Sequence, residues 1–339
     1  MDQKFPKISC AIINYNGEKF INRCLKSLIE QDYSNFEIIF IDNVSTDNSV
    51  NFIKENFPQI KIIENAKNIG YTGGANQAIE ITDGKYLMIL NPDIVYEPDY
   101  LSKCVQKLEE CSKIGVIGGK LLKYDFENNK KINLIDSIGL YCFKNRRIID
   151  RGQGYEDKGQ YNQEERVFGI SGASPIYRRE ALLDIKIYNE IFDEDFFMYK
   201  EDIDISWRLN LRGWICYYFP KALAYHGRGT GVLKRANHLE VLKHRQKVSK
   251  LAKQLSYKNQ RLMQIKNEIW PSFLLDFIYI IPKEILALGY IVLREPYVLK
   301  SVMELILKIP KALKKRKWIM ENRKIDWRQM HYFLGRAKK

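Results

Sequence analysis

The first 118 residues alternate between short apolar runs and helical stretches, and few folds accommodate that rhythm. The runs are KISCAII, FEIIFID, IKIIE, KYLMIL and IGVIG, separated by Gly17 to Glu30, SVNFIKENF, a segment near GGANQAIEI, and Asp99 to Glu110. Strands spaced by helices of this length make βαβ units, whose crossovers force a mainly parallel sheet covered by helices on its faces. The first third therefore predicts a Rossmann-like nucleotide-binding layout. Its first strand runs into NYNGEKF, which holds a single glycine. A dinucleotide fingerprint needs three glycines there, for the turn, the pyrophosphate and the helix packing, so a dehydrogenase reading loses most of its support.

In open α/β sheets, ligands bind beyond the carboxyl ends of the strands. Two carboxylates fall at such ends. FEIIFID finishes on Asp42, and YLMIL is closed by Asn91-Pro92-Asp93, where a proline without an amide hydrogen stops the ladder. Taken alone, Asp93 reads equally as a turn residue.

Residues 190 to 204 carry seven acidic side chains, Glu190, Asp193, Glu194, Asp195, Glu201, Asp202 and Asp204. Ile203, Trp207 and Leu211 follow at i, i+4 and i+8 and predict a helix packed on the core. On it, Asp204 and Arg208 predict a modest surface ion pair. Glu201 and Asp202 fall in the first turn, where the helix dipole favours carboxylates. A carboxylate held there beside aromatic residues can also act as a general base toward a hydroxyl. His226 ends an apolar run before a glycine-rich turn, and reads as a satisfied structural histidine or as a metal ligand beside Asp93. Gly169, Ser171, Gly172, Ala173 and Ser174 permit close backbone approach to a ligand.

Charge divides the chain. Of a net +14, residues 226 to 339 hold 26 Lys and Arg against 8 Asp and Glu, which leaves the rest slightly acidic. A basic pI with Trp318, Trp327 and Tyr332 in the tail suits nucleic acid in principle, but the charge lies outside the crevice and no nucleic-acid module is present. Residues 270 to 317 are apolar but interrupted by Asp276, Pro282, Lys283, Glu284 and Arg294, so no run reaches the roughly 18 residues of a spanning helix. They predict amphipathic helices on an anionic membrane face, with KALKKRK drawn to lipid. The alternative is that these helices pack on the preceding domain or form a dimer. Six scattered cysteines without a C-x-x-C pair suit reduced thiols, and MDQKFPKISC lacks the apolar core of a signal peptide, so a cytoplasmic location is expected.

The succession AIINYNGEKFINRCLKSL, IIFIDNVSTDNS, NAKNIGYTGGANQAI, YLMILNPDI, SGASPIYRREAL, FDEDFFMYKEDIDISWRLNLRGW and AYHGRGTG resembles the inverting family 2 glycosyltransferases of the GT-A fold. It is most similar to their bacterial rhamnosyltransferase branch. The resemblance implies a GT-A catalytic domain over residues 1–235 and a basic helical extension over 236–339. It implies that Asp42 binds the pyrimidine base, with Asn14 and Tyr15 lining its pocket, and that Asn68, Gly74 and Asn91 lie along the nucleotide sugar. Asp93 matches the last acid of the D-x-D metal motif, with Asn91 in the first aspartate's place, and His226 matches a histidine that joins the shell around Mg2+ or Mn2+. Asp202, paired with Glu201, matches the catalytic base. The implied donor is dTDP-L-rhamnose, with other sugar nucleotides open. The implied acceptor is a polyprenyl-diphosphate-linked glycan at the inner face of the plasma membrane.

Overall fold

The computed structural model describes residues 5–228, 245 and 248–335. The boundary expected at residue 235, and Gly229, Thr230 and Gly231 of AYHGRGTG, lie outside the described residues. The expected alternation forms β1 (Ile8–Asn14), α1 (Glu18–Ile29), β2 (Phe36–Asp42), α2 (Ser49–Asn56), β3 (Lys61–Glu64), α3 (Gly70–Ile81), β4 (Tyr86–Leu90), β5 (Ile94–Tyr96) and α4 (Tyr100–Glu110). β1 and β4 are buried along their whole length, as strands covered on both faces must be.

The polar stretch after residue 120 is a pair of hairpins. β6 (Ile114–Asp125) turns back as β7 (Lys130–Ser137), and β8 (Leu140–Cys142) pairs with β9 (Ile148–Asp150). Then come β10 (Glu165–Val167), β11 (Ile176–Arg178), α5 (Arg179–Asp184), α6 (Glu201–Leu211) and β12 (Ile215–His226). The main sheet has the order β10-β12-β6-β11-β4-β1-β2-β3. The β3-β2-β1-β4 half is parallel, β11 inserts antiparallel beside β4, and β6 and β12 run parallel to each other. This is the mixed, largely parallel sheet flanked by helices of the GT-A architecture. All six cysteines are free thiols.

The basic extension forms α7 (Lys250–Asn267), α8 (Trp270–Arg294), α9 (Leu299–Asn322) and α10 (Trp327–His331). It packs on the body through a common core in which Trp207, Phe168 and Leu211 meet Leu262, Met263 and Ile319. Buried Arg146 spans the junction, with Glu268 at 2.6 Å and Asp276 at 2.7 Å. Asp276 therefore partners a buried guanidinium, which is why a helix of mostly exposed leucines and isoleucines carries it.

The acidic run and the basic tail neutralise each other. Lys315 meets Glu190 at 2.5 Å and Asp193 at 2.6 Å, Lys311 meets Asp195 at 2.9 Å, and Lys308 meets Asp195 at 2.5 Å. Two lysines of KALKKRK thus face the protein, a correction to the expectation that this run points as a whole to lipid. The expected surface pair of Asp204 and Arg208 is also corrected: the two are 3.0 Å apart but almost fully buried, and Lys266 stands 3.0 Å from the same carboxylate.

Candidate active site

Sheet register assembles the first cluster. β12 ends with His226 opposite Ile94 of β5, and the Gly227 amide donates to the Asp93 carbonyl at 2.8 Å. Asp93 Oδ1 and His226 Nε2 are 3.3 Å apart, while His226 Nδ1 lies 2.8 Å from Asp136 Oδ2. Asp136 comes from β7, where Leu121 faces Ser137 and Leu122 faces Ile135, so Asp136 is the extra residue of a bulge. A bulge re-aims a side chain, and this one sends a fully buried carboxylate at the histidine. Burial alone would lower the His226 pKa, but Asp93 and Asp136 outweigh it and push it up to about 10. Burial likewise raises Asp93, and the facing His226 more than offsets it, holding the acid below its usual range.

Arg228 extends this cluster, 3.0 Å from Asp136 and 2.6 Å from Asp150. The charge of Asp150 in turn acts on Asp202. A second link is backbone. Consecutive residues Gly172 and Ala173 hold the two halves together: the Gly172 amide donates to Asp202 Oδ2 at 3.0 Å, and the Ala173 carbonyl accepts from the Asn91 amide at 3.3 Å. A Cβ on Gly172 would stand 3.0 Å from Cβ of Asp202, so the small residue expected to admit a ligand admits the carboxylate.

Asp202 also accepts from the Ile203 amide at 2.8 Å. Burial raises its pKa against the pull of the Gly172 amide, and burial together with the Asp202 charge pushes Glu201 up to about 8. Glu201 Oε2 is buried without a hydrogen-bond partner. The turn before them is strained: Phe197, Tyr199 and Lys200 all have φ between 64° and 75°.

At the other end of the crevice, Asn14 Nδ2 lies 2.9 Å from Asp42 Oδ1, and Ser45 donates to Asp42 through its amide at 2.8 Å. Asn14 Oδ1 is buried without a partner, and a Cβ on Gly17 would overlap it at 2.2 Å. Tyr15 is exposed at the rim. Asn68 accepts from the Gly70 amide at 2.9 Å and so shapes the start of α3, while Gly74 gives α3 room against Ile13, which would meet a Cβ at 3.0 Å. Both have local structural work.

Residues 9–186, just over half of the chain, match the family described as glycosyl transferase family 2. The chain belongs to that family. An uncharacterized glycosyltransferase of Haemophilus influenzae is 26% identical over 241 residues, 69% of each chain. A poly-beta-1,6-N-acetyl-D-glucosamine synthase of Staphylococcus aureus is 27% identical over 216 residues, 62% of this chain and 47% of the synthase, so this glycosyltransferase aligns with about half of that relative. Among solved structures, the mannosyltransferase of Pyrobaculum calidifontis in complex with GDP-Man and Mn2+ superposes with a TM-score of 0.51 at 16% identity, covering 94% of this chain and 86% of that one. GalNAc-T7 with UDP, GalNAc and Mn2+ superposes at 0.54 with 13% identity, over 78% and 52%. These likenesses show the GT-A fold.

A divalent ion fits the Asp93 and His226 pair of this glycosyltransferase. Among the described residues no group of three or more His, Cys, Asp or Glu forms a complete metal cage. A pair is what a hard cation needs when substrate phosphates and water complete its shell. Asp136 on the far nitrogen of His226 stands where a carboxylate would orient that histidine toward an ion. Asp136, Arg228 and Asp150 escaped sequence reading, because single polar residues in irregular strands carry no periodic signal.

Proposed function

We propose that the protein is an inverting glycosyltransferase that moves L-rhamnose from dTDP-L-rhamnose onto a hydroxyl of a lipid-linked or growing cell-surface glycan. Family membership supports sugar transfer, and the observation that carries the mechanism is the Gly172-Ala173 step, which ties Asp202 to the Asn91-Pro92-Asp93 corner. Asn14, Tyr15 and Asp42 receive the base, and Asn68, Gly74 and Asn91 border the nucleotide sugar. Asp93 and His226 hold Mg2+ or Mn2+, which supplies positive charge against the diphosphate when bound.

Asp202 takes the proton of the acceptor hydroxyl as its oxygen bonds to the anomeric carbon. The bond from that carbon to the diphosphate oxygen breaks, and its electron pair leaves with the nucleoside diphosphate, inverting the centre. Glu201, pushed toward its protonated form, keeps a second negative charge from crowding Asp202. A UDP-sugar donor is the second reading, favoured by relatives that build poly-N-acetylglucosamine.

The extension after residue 235 serves as the membrane-facing half. No helix among the described residues is long and apolar enough to cross a membrane. α8 nevertheless exposes Leu274, Ile278, Ile285, Leu286 and Leu293, the last at 80%, and α9, which also carries exposed Lys317, exposes Leu307 at 77%. An apolar helix face with cations nearby suits an anionic lipid surface. The catalytic reading is tested by nucleoside-diphosphate release from a panel of sugar nucleotides with Mg2+ or Mn2+ and a short-chain polyprenyl-diphosphate sugar. Release of dTDP is expected; release of UDP alone changes the donor, and silence throughout, indifferent to EDTA, overturns the reading.

A further inference from the structure

Six cations converge on one cleft beside the proposed base. A cavity of about 530 Å3 between the β8–β9 hairpin, α7 and α8 is lined by Arg147, Lys200, Arg245, Lys253, Arg261 and Lys283, and among the described residues no acid lines it. Four of the six are partly answered from outside: Arg245 and Lys253 by Glu295, Arg261 and Lys283 by Glu284. The Arg147 and Lys200 side chains have no hydrogen-bond or ion-pair partner among the described residues. Lys200 lies two residues before Asp202, at the start of the same helix.

A second cavity adjoins the first. Arg261 lines both, and its pair with Glu284 stands where they meet. This groove, about 460 Å3, runs between α7, α8 and α9 and is walled by Ile265, Phe273, Ile280, Leu305 and Ile309. It is almost wholly apolar, whereas the first is cationic. A ligand that fills both has an anionic head and a hydrocarbon tail.

We propose that the cleft and groove together bind a phosphate ester of a long-chain isoprenoid alcohol, the phosphate held by Arg147 and Lys200 and the chain by the wall of α8 and α9. This rests on the glycosyltransferase reading and gives its acceptor a site. The head in the cleft places the attached sugar near Lys200, two residues before Asp202. Arg147 is exposed, and Lys200, whose pKa burial lowers against the charges of Asp202, Asp150 and Glu201, is the one of the two with a desolvation cost that an arriving anion would offset. A phosphate supplies that charge, and an arginine meets it with two parallel bonds. The exposed face of α8 sets the groove beside the lipid from which such a chain would come.

The test is binding of fluorescent farnesyl diphosphate to the full chain in EDTA, which removes diphosphate binding through a metal at Asp93. Farnesol and inorganic pyrophosphate serve as competitors. Farnesyl diphosphate is expected to bind, with each half-ligand at least tenfold weaker, and Arg147→Gln or Lys200→Gln to weaken it about tenfold. The same variants should bind a sugar nucleotide with Mn2+ as the unaltered chain does, which also shows that they are folded. Pyrophosphate competing as well as farnesyl diphosphate would assign the cleft to a free phosphate compound and overturn the lipid assignment. Unchanged affinity in both variants would remove the cleft as the site. Sugar-nucleotide binding without any farnesyl diphosphate binding would sink this inference and leave the transferase reading standing.

Discussion

Asn259 Nδ2 lies 2.8 Å from the carbonyl oxygen of Tyr199, and by this contact a helix of the extension holds the turn that delivers Glu201 and Asp202. The same nitrogen is 2.9 Å from the Phe196 carbonyl and 2.8 Å from that of Met198. Left-handed backbone at Phe197, Tyr199 and Lys200 persists only where its surroundings over-determine it. Asn259→Ala should therefore lower kcat by about 100-fold, the scale of a misplaced reacting group, with the donor KM unchanged. Asn259→Asp, which sets an acceptor against three carbonyls, should be worse. Steady-state kinetics on both variants decide it; an unaltered kcat would mean that the turn holds itself.

Asp136 fixes which nitrogen of His226 faces Asp93. Asp136→Asn keeps the shape but not the charge, and loss of such an orienting carboxylate typically weakens metal affinity 10–100-fold. The expected result is a rightward shift of that size in the Mn2+ dependence of nucleotide release, matched by weaker Mn2+ binding in a direct titration without substrate. A shift in activity without one in binding would move Asp136 to a purely structural role.

The strand and helix order was legible because buried parallel strands read as uninterrupted apolar runs, and the positions of Asp42 and Asp93 at or just beyond strand ends were legible from the same runs. Asp136 was not, since a bulge breaks the period that would have marked it. The tail was legible only in part for a different reason. The sequence neighbours of Lys311 and Lys315 do not reveal their partners, because Glu190, Asp193 and Asp195 lie more than a hundred residues earlier. The one available signal was complementary charge: an acidic run in a slightly acidic body and a basic run in the tail.

Lys315 and Asp193 are 2% and 5% exposed, so their pair is a buried one. Lys315→Met should leave Asp193 with Lys266 alone and cost about 3 kcal/mol, near the lower end for a broken buried pair. Adding Asp193→Asn removes the stranded charge and should recover part of that loss, which denaturant unfolding of the two single variants and the double variant can measure. Strict additivity would show that the two side chains do not couple.

Glu201 gives stability a pH dependence of definite sign. Its folded pKa of about 8 lies above the ordinary glutamate value of 4.5, chiefly through burial and then through Asp202. Between those values the folded chain binds more protons than the unfolded one, so this group's contribution is complete below about 4.5 and is lost as pH rises toward 8. Glu201→Gln should flatten the fall in melting temperature across that interval. An unchanged slope would assign the dependence to other groups.

Asp202→Asn tests the base itself. The variant keeps one oxygen, which can still accept from the Gly172 amide, so the corner that joins Asp202 to Asn91 survives, while its NH2 gives up the bond from the Ile203 amide. What it loses is the charge that takes the proton from the acceptor hydroxyl, and general-base loss costs about 100- to 10,000-fold. Sugar-nucleotide affinity, which depends on Asn14, Asp42 and Asp93 in this reading, should stay within about twofold by calorimetry, a range well under the 1.4 kcal/mol of a tenfold change. Near-normal turnover in Asp202→Asn would transfer the base to Glu201, whose Oε2 is buried without a partner and whose raised pKa would then be the one that governs the rate.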